Sequence, residues 1–171
     1  KNLKAAGAKV IAYDIQFSEP TEGLEGPAQD NAFMDENRAA GNLVFSTTEV
    51  NDKGEGNFLG GQRGLEYARA RLGNGNFDTD PGGIIRRTPY QLQGLKSFSV
   101  ATAERATGKT VHAFSNDTKL IDFAGPAGTI PSISFSDVYN GLFPAGFFRD
   151  KIVVVGASAP SLQDVHPVSF G

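Results

Sequence analysis

The sequence contains no cysteine, so disulfide staples and thiolate metal sites are excluded. A cysteine-free chain also fits a bacterial domain working outside the cytoplasm. No apolar run approaches the about 20 residues a membrane-crossing helix needs. Residues Lys1 to Ala8 lack the charged head and apolar stretch of a signal peptide. Basic residues are not in excess: 16 Lys and Arg stand against 19 Asp and Glu, a net charge of -3. Nucleic acid, which selects a basic face, is therefore not an expected partner. No Gly-Lys-Ser/Thr occurs and no Gly-x-Gly-x-x-Gly follows a strand, so phosphate-loop and dinucleotide chemistry is not indicated. No cofactor is expected.

What is present is globular. The 171 residues are 39% hydrophobic and 20% charged, enough for one well-formed core. Glycine is frequent, at 21 residues, and marks many tight connections. Lys151 to Pro167, KIVVVGASAPSLQDVHP, holds the strongest single signal. Four β-branched residues, Ile152 to Val155, read as a strand buried on both faces inside a parallel sheet, ended by Gly156. Lys9 to Ile15 reads as a second such strand, with Asp14 near its end, and Leu43 to Thr48 as a third.

Helical segments alternate with these strands. Leu3 to Ala6 followed by Gly7 resembles the last turn of a helix, so the expectation is that an earlier strand and the start of this helix precede the fragment. Asp30 is positioned to cap a helix that carries Phe33, Met34 and Ala40 inward and stops at Gly41. Gln62 to Leu72 has helical spacing and a stop at Gly73. Ser97 to Thr107 stops at Gly108, and a short helix capped by Ser134 or Ser136 closes at Gly141. Phe17 to Gln29 and Asn51 to Gly61 read as loops, the second mobile. Ile84 to Arg87 reads as a strand, and Val111 to Phe114 with Lys119 to Phe123 as a hairpin. The expected fold is α/β: a mostly parallel central sheet flanked by helices, with a β-hairpin element, in a single domain.

In open α/β sheets, ligands meet the chain beyond the carboxyl ends of the strands. Asp14, Ser158, Asp164 and His166 fall there. Ser158, Asp164 and His166 supply the residue types of a hydrolase triad. Pro160 stands where the nucleophile elbow has its second glycine, however, and His166 is too close in sequence to serve both partners. Asp14, Asp164 and His166 are also donor types for a divalent cation; the alternative is that they fix loops by hydrogen bonding. Arg86 and Arg87, adjacent on a strand, should point to opposite faces; the inward one needs an acid such as Asp14 or Asp80, or a bound anion. Asn76 to Arg87 mimics a calcium loop in its first half only. The position requiring glycine is Pro81 and the twelfth is Arg87, which favours a self-bonded turn.

Several segments in fixed order carry a family resemblance. They are Gly7-Ala-Lys-Val-Ile-Ala-Tyr-Asp14 through Pro20, and Phe77-Asp-Thr-Asp80-Pro-Gly82 leading into Arg86-Arg87-Thr-Pro89. Leu95 to Ser99, Ile121 to Pro126, Ser134 to Val138 and Asp150 to Ser158 follow. Together they resemble the second type of CHASE domain, the cyclase/histidine-kinase-associated sensing extracellular domain. Pro81 and Gly83 enlarge one turn relative to the family pattern.

The resemblance implies an extracytoplasmic signal-sensing domain of a bacterial transmembrane receptor, anchored by flanking membrane segments outside this chain. It implies an output domain, most often an adenylate or guanylate cyclase, alternatively a histidine or serine/threonine kinase. The fragment itself is then not an enzyme. It responds to a small ligand or environmental signal, as a homodimer within its receptor. Asp14, Arg86, Arg87, Ser158, Asp164 and His166 are the candidate ligand-binding residues, on physical grounds. The rivals are a soluble hydrolase using Ser158 and a dimerisation module without a small ligand.

Overall fold

The computed structural model describes residues 1–126, 128–158, 167 and 168. Helix α1 (Asn2–Ala5) leads through Gly7 into β1 (Val10–Asp14). Helix α2 (Gly26–Ala40) and β2 (Leu43–Thr47) follow, then α3 (Gly61–Ala68) and β3 (Arg71–Asn74). Three short strands, β4 (Arg87–Pro89), β5 (Gln91–Leu92) and β6 (Leu95–Lys96), precede α4 (Phe98–Thr107). The described part then adds β7 (Thr118–Leu120), α5 (Phe135–Tyr139) and β8 (Ile152–Gly156).

The main sheet has the order β3-β2-β1-β8, all parallel. The chain starts in the middle at β1, steps outward to β3, then returns past β1 to β8. The strand order therefore reverses between β1 and β8. Two small antiparallel pairs, β4-β7 and β5-β6, sit beside this sheet. The expected α/β fold with a hairpin element is what forms.

The sheet is packed on both faces. Ile11, Leu43 and Phe45 point to one side, against Leu3, Leu65, Phe58 and Phe148, with Phe33 and Met34 of α2 beside them. Val10, Ala12 and Val44 point to the other, against Ala101, Ala106 and Phe98 of α4. Phe45 is fully buried and anchors an aromatic group: its ring stacks on Tyr13 at 5.2 Å and lies 4.9 Å from Phe58. Such a ring contributes its buried area and a further about 0.5 to 1.5 kcal/mol per aromatic pair.

Several sequence expectations are corrected. Ile152 to Val155 does not form a strand buried on both faces. Among the described residues it is an edge strand, and Ile152 and Val154 are 48% and 61% exposed. Their register partners Val10 and Ala12 lie under α4, but α4 packs mainly on β3 and β2 and less on β1, away from the β8 edge. Val153 and Val155, on the opposite face, pack against the core. A β-branched run marks a strand without marking how many neighbours it has.

The third helix ends at Ala68, not Leu72. Arg69 adopts a left-handed conformation (φ 54°); its N–H donates to Glu66 O and the N–H of Ala70 to Leu65 O, both at 3.1 Å. Gly73 is a strand residue, needed because α4 starts against it: a Cβ there would lie 2.5 Å from Phe98 Cα. Asp30 is not a helix cap. The helix begins earlier, at Gly26, with Pro27 in its first turn, and the Asp30 carboxylate accepts from Thr21 N (3.0 Å) and Oγ1 (2.6 Å). The hairpin is not at 111–123; Thr118–Leu120 pairs with Arg87–Pro89 instead, and the hairpin turn falls at Gln93-Gly94, both with positive φ. The 51–61 loop is hydrogen-bonded within itself, Asn51 Oδ1 accepting from Lys53 N and Glu55 N, and to the segment after β1, Leu59 N donating to Phe17 O.

Replacing Gly73 by alanine sets a methyl against backbone that cannot step aside. The expected outcome is a loss of about 1 to 3 kcal/mol of stability, measured by urea denaturation. Alanine at Gly108, which has open space but φ 68°, costs less, about 1 kcal/mol.

Candidate functional site

The carboxyl ends of β1, β2 and β3 open into one cleft of about 490 Å³. Asp14 closes β1, and Ile15 and Gln16 follow it into the wall. Ser46 and Thr48 come from the end of β2, and Gly75, Asn76, Phe77 and Thr79 from the segment after β3; Ile85 completes the lining. Parallel strands in register put these polar residues side by side, because each strand ends at the same level.

A hydrogen-bonded row ties the three strand ends together. Thr48 donates from its N (3.4 Å) and Oγ1 (2.9 Å) to Gln16 Oε1. Asn76 Nδ2 donates to Thr48 O at 2.9 Å. Behind Asn76 stands Asn74, which is 1% exposed. Its Oδ1 accepts from Asn76 N (2.9 Å) and its Nδ2 donates to Leu92 O in the hairpin (3.1 Å). A buried amide with both ends satisfied fixes geometry rather than floating. Ile85 is held by its N–H to Pro167 O (2.9 Å) and by parallel pairing with Val168.

The structure places the sequence-derived candidates as follows. Asp14 lines the cleft at the strand-order reversal, opposite Gly156 in register. Arg86 and Arg87 adjoin Ile85 but both turn to Asp80: Arg86 Nη1 to Oδ2 is 3.6 Å and Arg87 Nε to Oδ1 is 3.9 Å. The expected opposition of the two arginines does not occur, because β4 begins only at Arg87 and strand alternation does not govern Arg86. Asp80 also shapes its own turn, with Gly83 N donating to Asp80 O and Asp80 N to Ile84 O, both 3.0 Å. Ser158 is exposed, two residues beyond β8, and does not line the cleft. Asp164 and His166 lie outside the described residues. Among the described residues no three acidic or histidine side chains converge as a metal site.

Gln16, Thr48, Asn76 and Phe77 were missed. The available signal was position: each lies within three residues of a strand's carboxyl end. Asn74 to Phe77 was hidden because a Gly-Asn repeat reads as turn chemistry. A second, wider depression of about 770 Å³ lies over the 49–57 loop and the β5-β6 hairpin. Its acids are already engaged, Glu49 Oε2 by Asn57 Nδ2 (2.6 Å) and Glu55 Oε2 by Asn51 Nδ2 (2.9 Å). The smaller cleft lies at the carboxyl ends of three parallel strands, where α/β sheets receive ligands, and is the stronger candidate.

Compared with known families, residues 1–171 match the CHASE2 domain, which is the whole chain. The chain belongs to the CHASE2 family. CHASE2 is an extracellular sensory domain found in receptors of cyclase and kinase type, and it is not catalytic. No curated protein and no solved structure matches the chain.

Away from the cleft, the CHASE2 domain buries an ionic group between α4, β3 and β6. Glu104 of α4 is 9% exposed. It accepts from Lys96 Nζ of β6 (2.7 Å), Arg71 Nη1 of β3 (3.4 Å) and Val111 N (2.9 Å). Burial works to raise its carboxyl pKa, but the Lys96 bond, the Val111 N–H and the two positive charges outweigh it and hold the pKa below the usual value. Lys96 is raised, chiefly by its bond to Glu104.

The depressed Glu104 contributes stability that is fully present above the ordinary unfolded carboxylate value, about pH 4.3, and is lost as pH falls through the lower folded value. The raised Lys96 contributes below about pH 10.4 and loses that contribution as pH climbs through its higher folded value. Glu104→Gln is expected to lower stability at pH 7 and to flatten the acid limb of a pH-denaturation curve. An unchanged acid limb would show that the group carries no such linkage.

Proposed function

We propose that this CHASE2 domain is the ligand-receiving part of a membrane-anchored bacterial receptor, facing away from the cytoplasm, and that the receptor's output is an adenylate or guanylate cyclase. The observation that carries this is the family match across the entire chain. The geometry adds to it. A polar cleft sits at the reversal of strand order, its walls come from three separate strands, and no nucleophile with a partnered base is assembled among the described residues.

In this reading the domain works by population shift. A ligand in the cleft binds one arrangement of the loops after β1, β2 and β3 better than another, and a homodimer of receptors passes the difference through flanking membrane segments. The size of the response is bounded by that difference. Moving a receptor from one part active in a hundred to ninety-nine needs about 10⁴-fold discrimination between the two states. Asp14 belongs to this site directly, and Arg86 and Arg87 belong to its border through Ile85.

The test uses the complete receptor in membrane vesicles. Cyclic-nucleotide synthesis is measured for the wild type and for Asn76→Ala, which opens the row joining the strand ends. The expected result is altered basal or stimulated synthesis at unchanged affinity for the nucleotide substrate. Phosphorylation of histidine, serine or threonine in place of cyclic nucleotide would reassign the output to a kinase. A parent protein with no membrane-spanning segment would overturn the receptor reading.

A further inference from the structure

We infer that Ser46, in the cleft at the strand ends, is a ligand-contacting residue. The ligand it meets is a small, uncharged primary or secondary carboxamide with an apolar body, of the chemistry of a capped amino acid or a lactam. This rests on the sensing reading and specifies the contact and the ligand class. Three observations carry it.

The first is a buried hydroxyl that the fold does not use. Ser46 is 6% exposed and lines the cleft. Its Oγ makes no hydrogen bond among the described residues, whereas the hydroxyls of Thr47 and Thr48 beside it both do. A buried hydroxyl left idle costs stability, and such groups in native proteins are nearly always paired. Gly75 keeps the space around it open. A Cβ on Gly75 would lie 2.3 Å from Ser46 Oγ, with the next atoms at an ordinary 3.7 Å. Gly75 does not have a positive φ, so its backbone does not call for glycine. What the missing Cβ preserves is access to the Ser46 hydroxyl.

The second is the pair of amides near it. Gln16 Oε1 accepts from Thr48 N (3.4 Å) and Oγ1 (2.9 Å), so the nitrogen is the end Gln16 offers. Asn76 Nδ2 donates to Thr48 O (2.9 Å), so the oxygen is the end Asn76 offers. Backbone atoms of Thr48 set both orientations, and neither amide can flip without losing its bond. An anion brings acceptors alone and leaves Asn76 Oδ1 unmatched; an ammonium brings donors alone and leaves Gln16 Nε2 unmatched. A carboxamide brings a C=O and an N–H in one rigid plane and matches both, while Ser46 Oγ serves either end. Asp14 also lines the cleft but has an interaction of its own, and the contacts assigned to the ligand do not include it.

The third is the apolar surface. Phe77 and Ile15, both exposed, and Ile85, which is buried, complete the lining. Apolar side chains beside Ser46, Gln16 and Asn76 suit a ligand with one polar group on an apolar body. A sugar ring would instead set hydroxyls against Ile15, Ile85 and Phe77, where they find no partner. The flat amide lies against the Phe77 ring and passes close over Gly75, where no side chain intervenes. A volume of about 490 Å³ is within the range of small-molecule sites and admits a ligand of this size.

The test is calorimetric titration of the chain with N-acetyl-L-leucinamide and 2-pyrrolidinone, and in parallel with D-glucose, inorganic phosphate and ethylamine. At least one of the two amides is expected to bind, and the other three compounds not to. Ser46→Ala is expected to weaken amide binding about tenfold while the unliganded melting temperature stays the same or rises, because the hydroxyl removed has no partner in the free protein. A melting temperature that falls, or binding that is unchanged, would overturn the role given to Ser46. Gly75→Ala, which crowds Ser46 Oγ, is expected to abolish binding. Combining it with Ser46→Ala relieves the crowding, so the double variant is expected to melt no lower than Gly75→Ala; a lower value would overturn the placement of the hydroxyl. Preference for N-acetyl-L-leucinamide would assign the ligand to a peptide, and preference for 2-pyrrolidinone to a free lactam. No binding of either amide at concentrations up to about 50 mM, or binding of glucose, phosphate or ethylamine alone, would overturn the ligand class. The two readings fail separately. An amide that binds the cleft but leaves the output of the complete receptor unmoved removes the sensing reading. A receptor that answers glucose, phosphate or ethylamine through the same cleft, and no amide, removes only the ligand class.

Discussion

Strand β1 is paired on both edges and packed on both faces, and the other elements take their places from it. Val10 and Ala12 are fully buried and Ile11 nearly so. Only a short run of small and β-branched residues fits between β2 and β8 while α4 presses on one face and the aromatic group on the other. The strand has no latitude to shift. A one-residue slip would turn Ile11 toward α4 and Val10 toward Phe45, exchanging every contact at once. Because β1 is fixed, its last residue is fixed too, and Asp14 is delivered to the point where the strand order reverses.

The two faces of the sheet differ in a way that suits a receiving site. One is closed by aromatic rings, with Phe17 stacked on Phe33 at 4.7 Å and edge-on to Tyr13 at 5.8 Å. Phe17 lies in the same loop as Gln16, so the cleft wall after β1 is rooted in the core one residue away. The wall after β3 is rooted differently, through the buried amide of Asn74 and the backbone of the hairpin. One wall is therefore held by packing and another by polar bonds, whose dependence on direction is much steeper. A ligand touching both would load two kinds of spring at once.

Much of the architecture was legible in the sequence, where local chemistry acts alone. Ser97 accepts from Val100 N (3.3 Å) and Ser134 from Asp137 N (3.1 Å), and Gly41 and Gly108 sit in left-handed helix stops. These signals are complete within four residues. What stayed hidden depends on distant neighbours. Arg69 ends α3 without glycine, its strained backbone sharing with Gly41 a bond to the Arg105 guanidinium. Nothing within the helix announces a partner 36 residues away. β4 finds β7 across about thirty residues rather than the nearest extended segment. At the site, Asp14 was found because it ends an obvious strand, but Gln16, Asn76 and Phe77 gain meaning only when three strands end together.

The exposure of Ile152 and Val154 has a practical consequence for handling the protein. Among the described residues β8 pairs on one edge only, leaving the other beside two exposed aliphatic side chains, with no proline or charge in the strand to blunt it. Such an edge is a template for sheet growth from one molecule to the next. The 171-residue chain on its own should be prone to concentration-dependent clumping that reports on this edge alone and says nothing about how receptors associate.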